Sequence, residues 1–130
     1  MPTREEICAR CDAYVAGVAA HDTEAIVALF APDASQEEPV GSAPRVGRDE
    51  IRAFFAASEG VSFTVRRIGP VTVSGNVAAF QIGIDFEAGA IAPMSSTDIV
   101  TFGEDGLISS IVAIPDLDAH PDRSPSDRSG

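Results

Sequence analysis

The chain has 130 residues, 45% of them hydrophobic, which suits one domain with a core that needs no disulfides. Nine arginines and no lysine face twenty acidic residues, so the formal net charge is -11. This charge repels nucleic-acid phosphates and anionic membrane surfaces, and it favours a neutral or apolar ligand. No apolar run approaches the ~18 residues of a membrane span, and the N-terminus lacks a signal-peptide pattern. We therefore predict a cytoplasmic protein with neither nucleic acid nor membrane as partner.

The first segment of the chain has helical periodicity. Thr3 and Glu6 form a capping box, and the apolar residues that follow predict a helix over about Arg4–Ala20. Cys8 and Cys11 lie inside this pattern, whereas a thioredoxin-like redox pair follows a strand. A structural role for both cysteines is therefore favoured over a redox or zinc site.

Prolines and glycines interrupt the segment that follows. Asp22 can cap a second helix that ends at Pro32 and whose apolar face is Ile26, Leu29 and Phe30. Residues 31–47 are interpreted as a loop with a short extended piece at 35–40. A third, short helix opens at Gly47 and Asp49.

Beyond the third helix the apolar period changes from 3.6 to 2, which indicates strands. The predicted strands are Val61–Val65, Val71–Val73 after a break at Gly69-Pro70, a strand with Phe80, Ile82, Ile84 and Phe86 on one face, Met94–Phe102, and Leu107–Ile114 after a Gly103–Gly106 turn. Helices followed by strands predict an α+β domain over residues 1–114. The polar, proline-broken residues 115–130 are predicted to be a disordered acidic tail.

Three polar positions are candidates for function. Asp98 is in phase with Val100 and Phe102, so it faces inward with a raised pKa unless Ile99 faces inward instead, and the strand pattern leaves these two registers open. Tyr14 lies on the apolar stripe of the first helix, where it is either an ordinary core residue or a buried hydroxyl with a function. Glu38 follows Glu37 and precedes a proline, which orients a side chain that is otherwise expected to be solvated.

Longer sequence blocks connect these positions. They are Ile26–Ala34, Glu38-Pro-Val-Gly-Ser42, Pro44-Arg45 and Gly47, with weaker matches at Ala13–Ala16, Ile51–Phe55, Asp85–Glu87, Ala92-Pro93 and Asp98. From about Cys11 to Ile114 the chain resembles the Δ5-3-ketosteroid isomerase family. That family is part of the cone-shaped α+β superfamily that includes nuclear transport factor 2 and scytalone dehydratase.

The resemblance implies a fold and a chemistry. Three N-terminal helices would pack on a curved, mainly antiparallel sheet. Glu38 would move a proton between two carbons of a steroid, while Tyr14 and Asp98 donate to the ketone oxygen. The candidate walls for the flat apolar substrate are Phe30, Phe54, Phe55, Phe80, Phe86 and Val100. The resemblance implies no metal or cofactor, and it implies a homodimer formed through the exposed sheet face.

Two departures from the family and two alternative functions accompany this interpretation. Glu38 is one methylene longer than the Asp that the family often has, and Phe55 stands where some members carry a tyrosine that bonds to the oxyanion tyrosine. One alternative is a hydratase, dehydratase or cyclase, which in this superfamily typically uses a histidine. His21 is predicted in a helix connection and His120 in the tail, so neither is expected to line the pocket. The other is a small-ligand binding module without catalysis.

Overall fold

The computed structural model describes residues 1–87 and 93–117, which form three helices and a six-stranded sheet. The elements are α1 (Arg4–Ala19), α2 (Thr23–Val27), β1 (Phe30–Glu37), β2 (Arg45–Val46), α3 (Arg48–Ser58), β3 (Phe63–Ser74), β4 (Val77–Phe86), β5 (Met94–Phe102) and β6 (Ile108–Asp116). The strand order is β2-β1-β6-β5-β4-β3. Neighbouring strands are antiparallel except β1 and β6, which are parallel. The predicted α+β class is confirmed.

Side-chain caps define the start of the first two helices, as the sequence predicts. The Thr3 hydroxyl accepts from the Glu6 amide, while the Glu6 carboxylate accepts from the Thr3 amide. Asp22 caps α2 by accepting from the amide of Ala25. Cys8 and Cys11 are free thiols on α1, and burial raises the pKa of Cys11 to about 12, which suits a structural role.

The prediction that the second helix extends to Pro32 is wrong. The helix ends at Val27, and Phe30 already begins β1, where it pairs with Ile108 of β6. The register of β1 against β6 shifts between Phe30 and Ser35, so Pro32 occupies an irregular stretch of strand where its missing amide hydrogen is tolerated. In the segment 31–47 that was predicted as mainly loop, residues 31–37 and Arg45–Val46 are therefore strand.

The Gly69-Pro70 dipeptide does not separate two strands as predicted. β3 is one continuous strand, and the dipeptide lies where its register against β4 shifts, between Ile68 and Thr72. Because β3 is at the edge of the sheet, a proline interrupts no hydrogen bonding on its outer side.

The last two strands form a hairpin with the predicted turn. The Gly103 amide donates to the carbonyl of Leu107, and the Gly106 amide donates to the carbonyl of Gly103. β6 begins one residue later than predicted and continues through Pro115 to Asp116. Of the predicted tail, residues 118–130 lie outside the described residues.

The core lies between the helices and one face of the sheet. Residues from α1, α2, α3 and five strands form a single cluster of buried side chains, among them Ile7, Ile26, Ile51, Phe80, Val100 and Ile111. Helix α1 packs on β3 and β4, whereas α3 packs on β1 and β2. None of the helices in the described ranges is long and apolar enough to cross a membrane.

Candidate active site

The helices and the sheet enclose a cavity of about 560 Å³, a volume that suits a small organic ligand. Most of its lining is apolar, and the polar side chains are few. The apolar lining residues are Val18, Pro39, Phe54, Phe55, Val61, Phe63, Ile82, Ile84, Phe86, Met94, Ala113, Pro115 and Leu117. The polar lining residues are Tyr14, Glu38, Ser58, Ser96 and Asp98.

The cavity begins where the packed core ends. On the inward face of β5, Phe102 and Val100 belong to the core, whereas Asp98, Ser96 and Met94 line the cavity. The same change occurs on α1, where Ile7 and Cys11 are core residues and Tyr14 and Val18 line the cavity. Tyr14 on α1 and Asp98 on β5 are the cavity-lining residues nearest to the core residues of the same element. Their polar groups therefore lie at the inner end of the cavity, against the core.

Tyr14 is buried, and aromatic rings hold its side chain. Its ring lies 6.3 Å from Phe30, 6.2 Å from Phe55 and 6.1 Å from Phe80, measured between centroids. Burial raises the pKa of Tyr14 well above its usual value, and the carboxylates of Glu38 and Asp98 add to the increase. The hydroxyl therefore keeps its proton and can donate a hydrogen bond into the cavity.

Asp98 is buried with 2% of its surface exposed, whereas Ile99 is 37% exposed. The structure thus selects the register in which Asp98 faces inward. The hydroxyl of Ser96, two residues earlier on the same face, donates to Oδ1 of Asp98 over 2.9 Å. Burial is the main cause, and the negative charge of Glu38 a smaller one, that together raise the pKa of Asp98 to about 7, whereas the Ser96 hydrogen bond opposes the shift.

Glu38 lies just beyond β1, half-buried, with its carboxylate at the cavity. The backbone around it is fixed at two points, because Arg45 Nη1 donates to the Glu38 carbonyl over 3.0 Å and the Val40 amide donates to the carbonyl of Ala113 over 2.8 Å. Burial raises the pKa of Glu38, whereas the charge of Arg45 and the amide of Gln36 lower it. Two groups therefore favour the ionised form of Glu38.

The two carboxyl groups of the cavity have different surroundings. Glu38 is next to a cation and an amide donor, whereas Asp98 has one hydroxyl donor and is the more deeply buried. These surroundings favour a charged Glu38 beside a neutral Asp98, since two negative charges in one apolar cavity repel each other. An ionised carboxylate can accept a proton, and a neutral carboxyl group can donate a hydrogen bond.

The predicted wall residues fall into two groups. Phe54, Phe55 and Phe86 line the cavity. Phe30, Phe80 and Val100 belong to the core instead, which corrects the expectation that they form the wall. Phe80 and Val100 lie on the predicted inward faces of their strands, whereas Phe30, predicted on a helix, begins β1.

Several residues of the site were not recognised from the sequence. Ser96 could have been found, since it shares the inward face of β5 with Asp98. Arg45 could not, because it approaches Glu38 only through the pairing of β1 with β2, and Gln36, two residues before Glu38, lies in a segment for which no inward face was predicted. Arg45 also lies over the ring of Phe54, 4.2 Å from its centroid.

In the part of the chain that the structure describes, no histidine lines the cavity. His21 lies outside it, with Nε2 3.3 Å from the carbonyl of Phe63 and its ring against that of Phe63. His120 lies outside the described residues. Within residues 1–87 and 93–117, no group of three or more His, Cys, Asp or Glu side chains could hold a metal ion.

Comparison with known proteins agrees with this geometry. Residues 11–111 match the model of the SnoaL-like domain family. The chain is 35% identical over 112 residues to a protein of Nocardioides simplex named Steroid Delta-isomerase, covering 83% of this chain and 88% of that protein. The solved structure of the epoxide hydrolase/cyclase-like enzyme SalBIII, which has a role in pyran ring formation in the polyether salinomycin, superposes on this chain with a TM-score of 0.78. The two sequences are 22% identical. That superposition covers 90% of this chain and 95% of SalBIII. The chain therefore belongs to the SnoaL-like family and has its NTF2-like fold.

Proposed function

We propose that this protein is a steroid Δ-isomerase that converts Δ5-3-ketosteroids to Δ4-3-ketosteroids. The observation that carries the proposal is the meeting of Glu38, Tyr14 and Asp98 in one apolar cavity, with surroundings that favour a charged Glu38 and neutral donors at the other two positions. The similarity to the Steroid Delta-isomerase of Nocardioides simplex supports the same activity. The reaction needs no cofactor.

The proposed reaction moves one proton between two carbons of the substrate. The Glu38 carboxylate takes a proton from the carbon between the ketone and the Δ5 double bond. The electron pair of the broken C–H bond delocalises onto the ketone oxygen to give a dienolate, in which the Δ5 double bond is retained. Protonated Glu38 then returns the proton to the far carbon of the dienolate, two positions along. The double bond becomes conjugated with the ketone, and Glu38 is again ionised, so the cycle is complete.

Tyr14 and Asp98 stabilise the dienolate in this proposal. The proton next to a ketone is weakly acidic, so catalysis depends on hydrogen-bond donors at the oxygen where negative charge develops. Two uncharged O–H donors in a site from which water is largely excluded provide this stabilisation without a mobile counter-ion. Their position against the core, with the Tyr14 ring held between three phenylalanines, keeps the donors fixed during the reaction.

The remainder of the cavity suits the body of a steroid. Phe54, Phe55, Phe86 and Leu117 supply apolar contacts for a flat hydrocarbon ligand. Glu38, just beyond β1, reaches the cavity from one side, whereas the two donors Tyr14 and Asp98 lie at its inner end. The ketone would enter first, and the rest of the ring system would extend along the apolar walls.

A spectroscopic assay of paired glutamate variants tests the proposal. Wild type mixed with a Δ5-3-ketosteroid should produce the ultraviolet absorbance of the conjugated Δ4-enone, and Glu38→Gln should abolish nearly all of the rate. Glu37→Gln is the matched control, because the neighbouring Glu37 carboxylate accepts from the Gly41 amide and is not a lining residue of the cavity. Equal rates for Glu38→Gln and wild type would exclude Glu38 as the base.

Other outcomes of the assay identify the alternatives. Steroid binding without conversion would indicate a binding module. Conversion of a polyketide-like or terpene-like ligand instead of the steroid would indicate a hydratase, dehydratase or cyclase on the same fold. A cytoplasmic location stays a prediction from the sequence.

A homodimer through the outer face of the sheet is part of the proposal. Apolar residues Val77, Ile99 and Ile114 on β4, β5 and β6 are exposed, and Ile99 projects from the face opposite to Asp98. Light scattering of Ile99→Glu should give half the wild-type mass, with Val46→Glu on the edge strand β2 as control. A monomeric wild type would contradict the dimer.

A further inference from the structure

Gln36 is a fully buried polar residue beside the site, with 0% of its surface exposed. It lies on the inward face of β1 with Phe30 and Ala34, and its cross-strand partners are Arg45 on β2 and Ile111 on β6. Burying an amide costs free energy unless both of its ends are hydrogen-bonded, and an apolar side chain of similar size would avoid that cost. Its presence here therefore calls for an explanation.

The two ends of the Gln36 amide are not equally satisfied. Nε2 lies 3.5 Å from Oε1 of Glu38, a long hydrogen bond that stabilises the carboxylate. Within the described residues, the side-chain oxygen of Gln36 is buried without any hydrogen-bond partner. The amide nitrogen of Gln36 thus donates to the proposed base, while its amide oxygen can still accept a hydrogen bond.

An amide can serve both protonation states of a carboxyl group. An ionised carboxylate only accepts hydrogen bonds, whereas a protonated one also donates. The oxygen and nitrogen of Gln are nearly the same size, and half a turn about the last side-chain torsion exchanges them. Arg45 cannot adapt in this way, because a guanidinium has donors only and favours the ionised form throughout.

We propose that Gln36 is a positioning residue for Glu38: its Nε2 donates to the ionised carboxylate before proton abstraction, and its oxygen accepts from the protonated carboxyl group afterwards. The inference rests on the proposed function, in which Glu38 alternates between these two states. It gives the unpartnered oxygen a role at the stage when Glu38 carries the proton. No other group is needed to hold the protonated side chain in position for its second transfer.

Other charged groups act on Glu38 from the surrounding elements. Arg45 on β2 is the nearby cation, whereas Asp98 on β5 and Tyr14 on α1 are ionisable groups in the same cavity. Asp98 titrates in the neutral range, so its ionisation must be separated from that of Glu38 in any experiment. Asp98→Asn removes it while keeping a neutral side chain of the same shape.

Nuclear magnetic resonance of the ligand-free protein tests the contact without altering Gln36. The side-chain amide protons and the Cδ carbon of Gln36 should both shift with pH in one transition, since the amide donates at high pH and accepts at low pH. The transition should persist in Asp98→Asn and disappear in Glu38→Gln. Resonances that do not respond to pH in the wild type, or that respond equally in Glu38→Gln, would overturn the inference.

Kinetics of Gln36→Met, an apolar side chain of similar length, give the second test. We expect kcat to fall roughly tenfold with KM nearly unchanged, and the acid limb of kcat/KM to move to higher pH, because the ionised base loses a donor. In the Glu38→Gln background the same substitution should have no further effect. Wild-type kinetics and pH profile for Gln36→Met would overturn the inference.

The two proposals fail in different ways. If Glu38→Gln keeps the wild-type rate, the proposed function fails. If Glu38→Gln is inactive while Gln36→Met behaves as wild type, only the role of Gln36 fails.

Discussion

Ser96 donates a hydrogen bond to Oδ1 of Asp98 over 2.9 Å, and both side chains project from the inward face of β5. A hydroxyl that donates to a carboxyl oxygen stabilises the ionised form, so this contact limits the increase in the pKa of Asp98 that burial causes. With one oxygen occupied by Ser96, a proton on Asp98 is placed on the other oxygen. The contact therefore sets both the pH range of the neutral donor and the atom that carries its proton.

Removing this hydrogen bond should extend activity to higher pH. In Ser96→Ala the ionised form of Asp98 loses its donor, so its pKa rises above the present value of about 7. The alkaline limb of kcat/KM should move upward by roughly one pH unit. A pH–rate profile of the variant checks this, with Ser58→Ala, at a cavity hydroxyl that bonds to a backbone carbonyl, as the control. A limb that stays in place or moves to lower pH would contradict the role assigned to Ser96.

Substitution of Asp98 should separate its donor role from its charge. Asp98→Leu removes the hydrogen bond to the dienolate and should lower kcat by roughly 100- to 1000-fold. Asp98→Asn keeps a neutral N–H donor, so its loss should be smaller, and its activity should no longer decrease at alkaline pH. Stopped-flow assays across pH compare the two variants. Equal losses in both, or an unchanged alkaline limb in Asp98→Asn, would argue against a protonated Asp98.

Stability should depend on pH through the same carboxyl group. Folding raises the pKa of Asp98 from 3.8 to about 7, so between these values the folded protein holds a proton that the unfolded chain has lost. The free energy of unfolding therefore decreases as pH rises through this window, by about 4 kcal/mol in total from Asp98. Glu38, whose pKa is also raised, acts in the same direction.

Urea denaturation at about pH 5 and about pH 8 measures this effect. Asp98→Asn should reduce the difference between the two conditions, because its side chain does not ionise. If the wild type and the variant lose the same stability between the two pH values, Asp98 is not the group responsible.

Tyr14→Phe should affect catalysis far more than folding. The hydroxyl is one of two proposed donors, so its removal should lower kcat by roughly 100- to 1000-fold. The ring keeps its contacts with Phe30, Phe55 and Phe80, so the melting temperature should change by only a few degrees. Thermal unfolding and steady-state kinetics on one preparation check both halves. A large loss of stability, or full activity, would contradict the assignment.

Local patterns predicted the parts of the fold that depend on neighbouring residues. The capping box at Thr3 and the cap at Asp22 follow from a few adjacent residues. The inward position of Asp98 was one of two registers open from the strand pattern, and burial of Val100 and Phe102 on the same face decides between them.

The features of the fold that the sequence could not predict depend on pairing between strands that are distant in the chain. Phe30 fits helical spacing, but its pairing with Ile108, far along the chain, makes it the start of a strand. Gln36 falls in the short extended piece predicted at 35–40, but its burial depends on β2 and β6 flanking it. Phe80 and Val100 were placed on the correct faces, but the depth at which core gives way to cavity depends on how the helices cover the sheet.

The most direct test of the central claim is hydrogen exchange on a bound ketosteroid in heavy water. Nuclear magnetic resonance would follow the proton on the far carbon of a Δ4-3-ketosteroid, the carbon to which Glu38 returns the proton in the proposed reaction, with wild type and Glu38→Gln compared at equal occupancy. We predict that wild type exchanges this proton far faster than buffer and that Glu38→Gln does not. Exchange no faster than buffer in the wild type, with the steroid bound, would contradict proton abstraction by this protein.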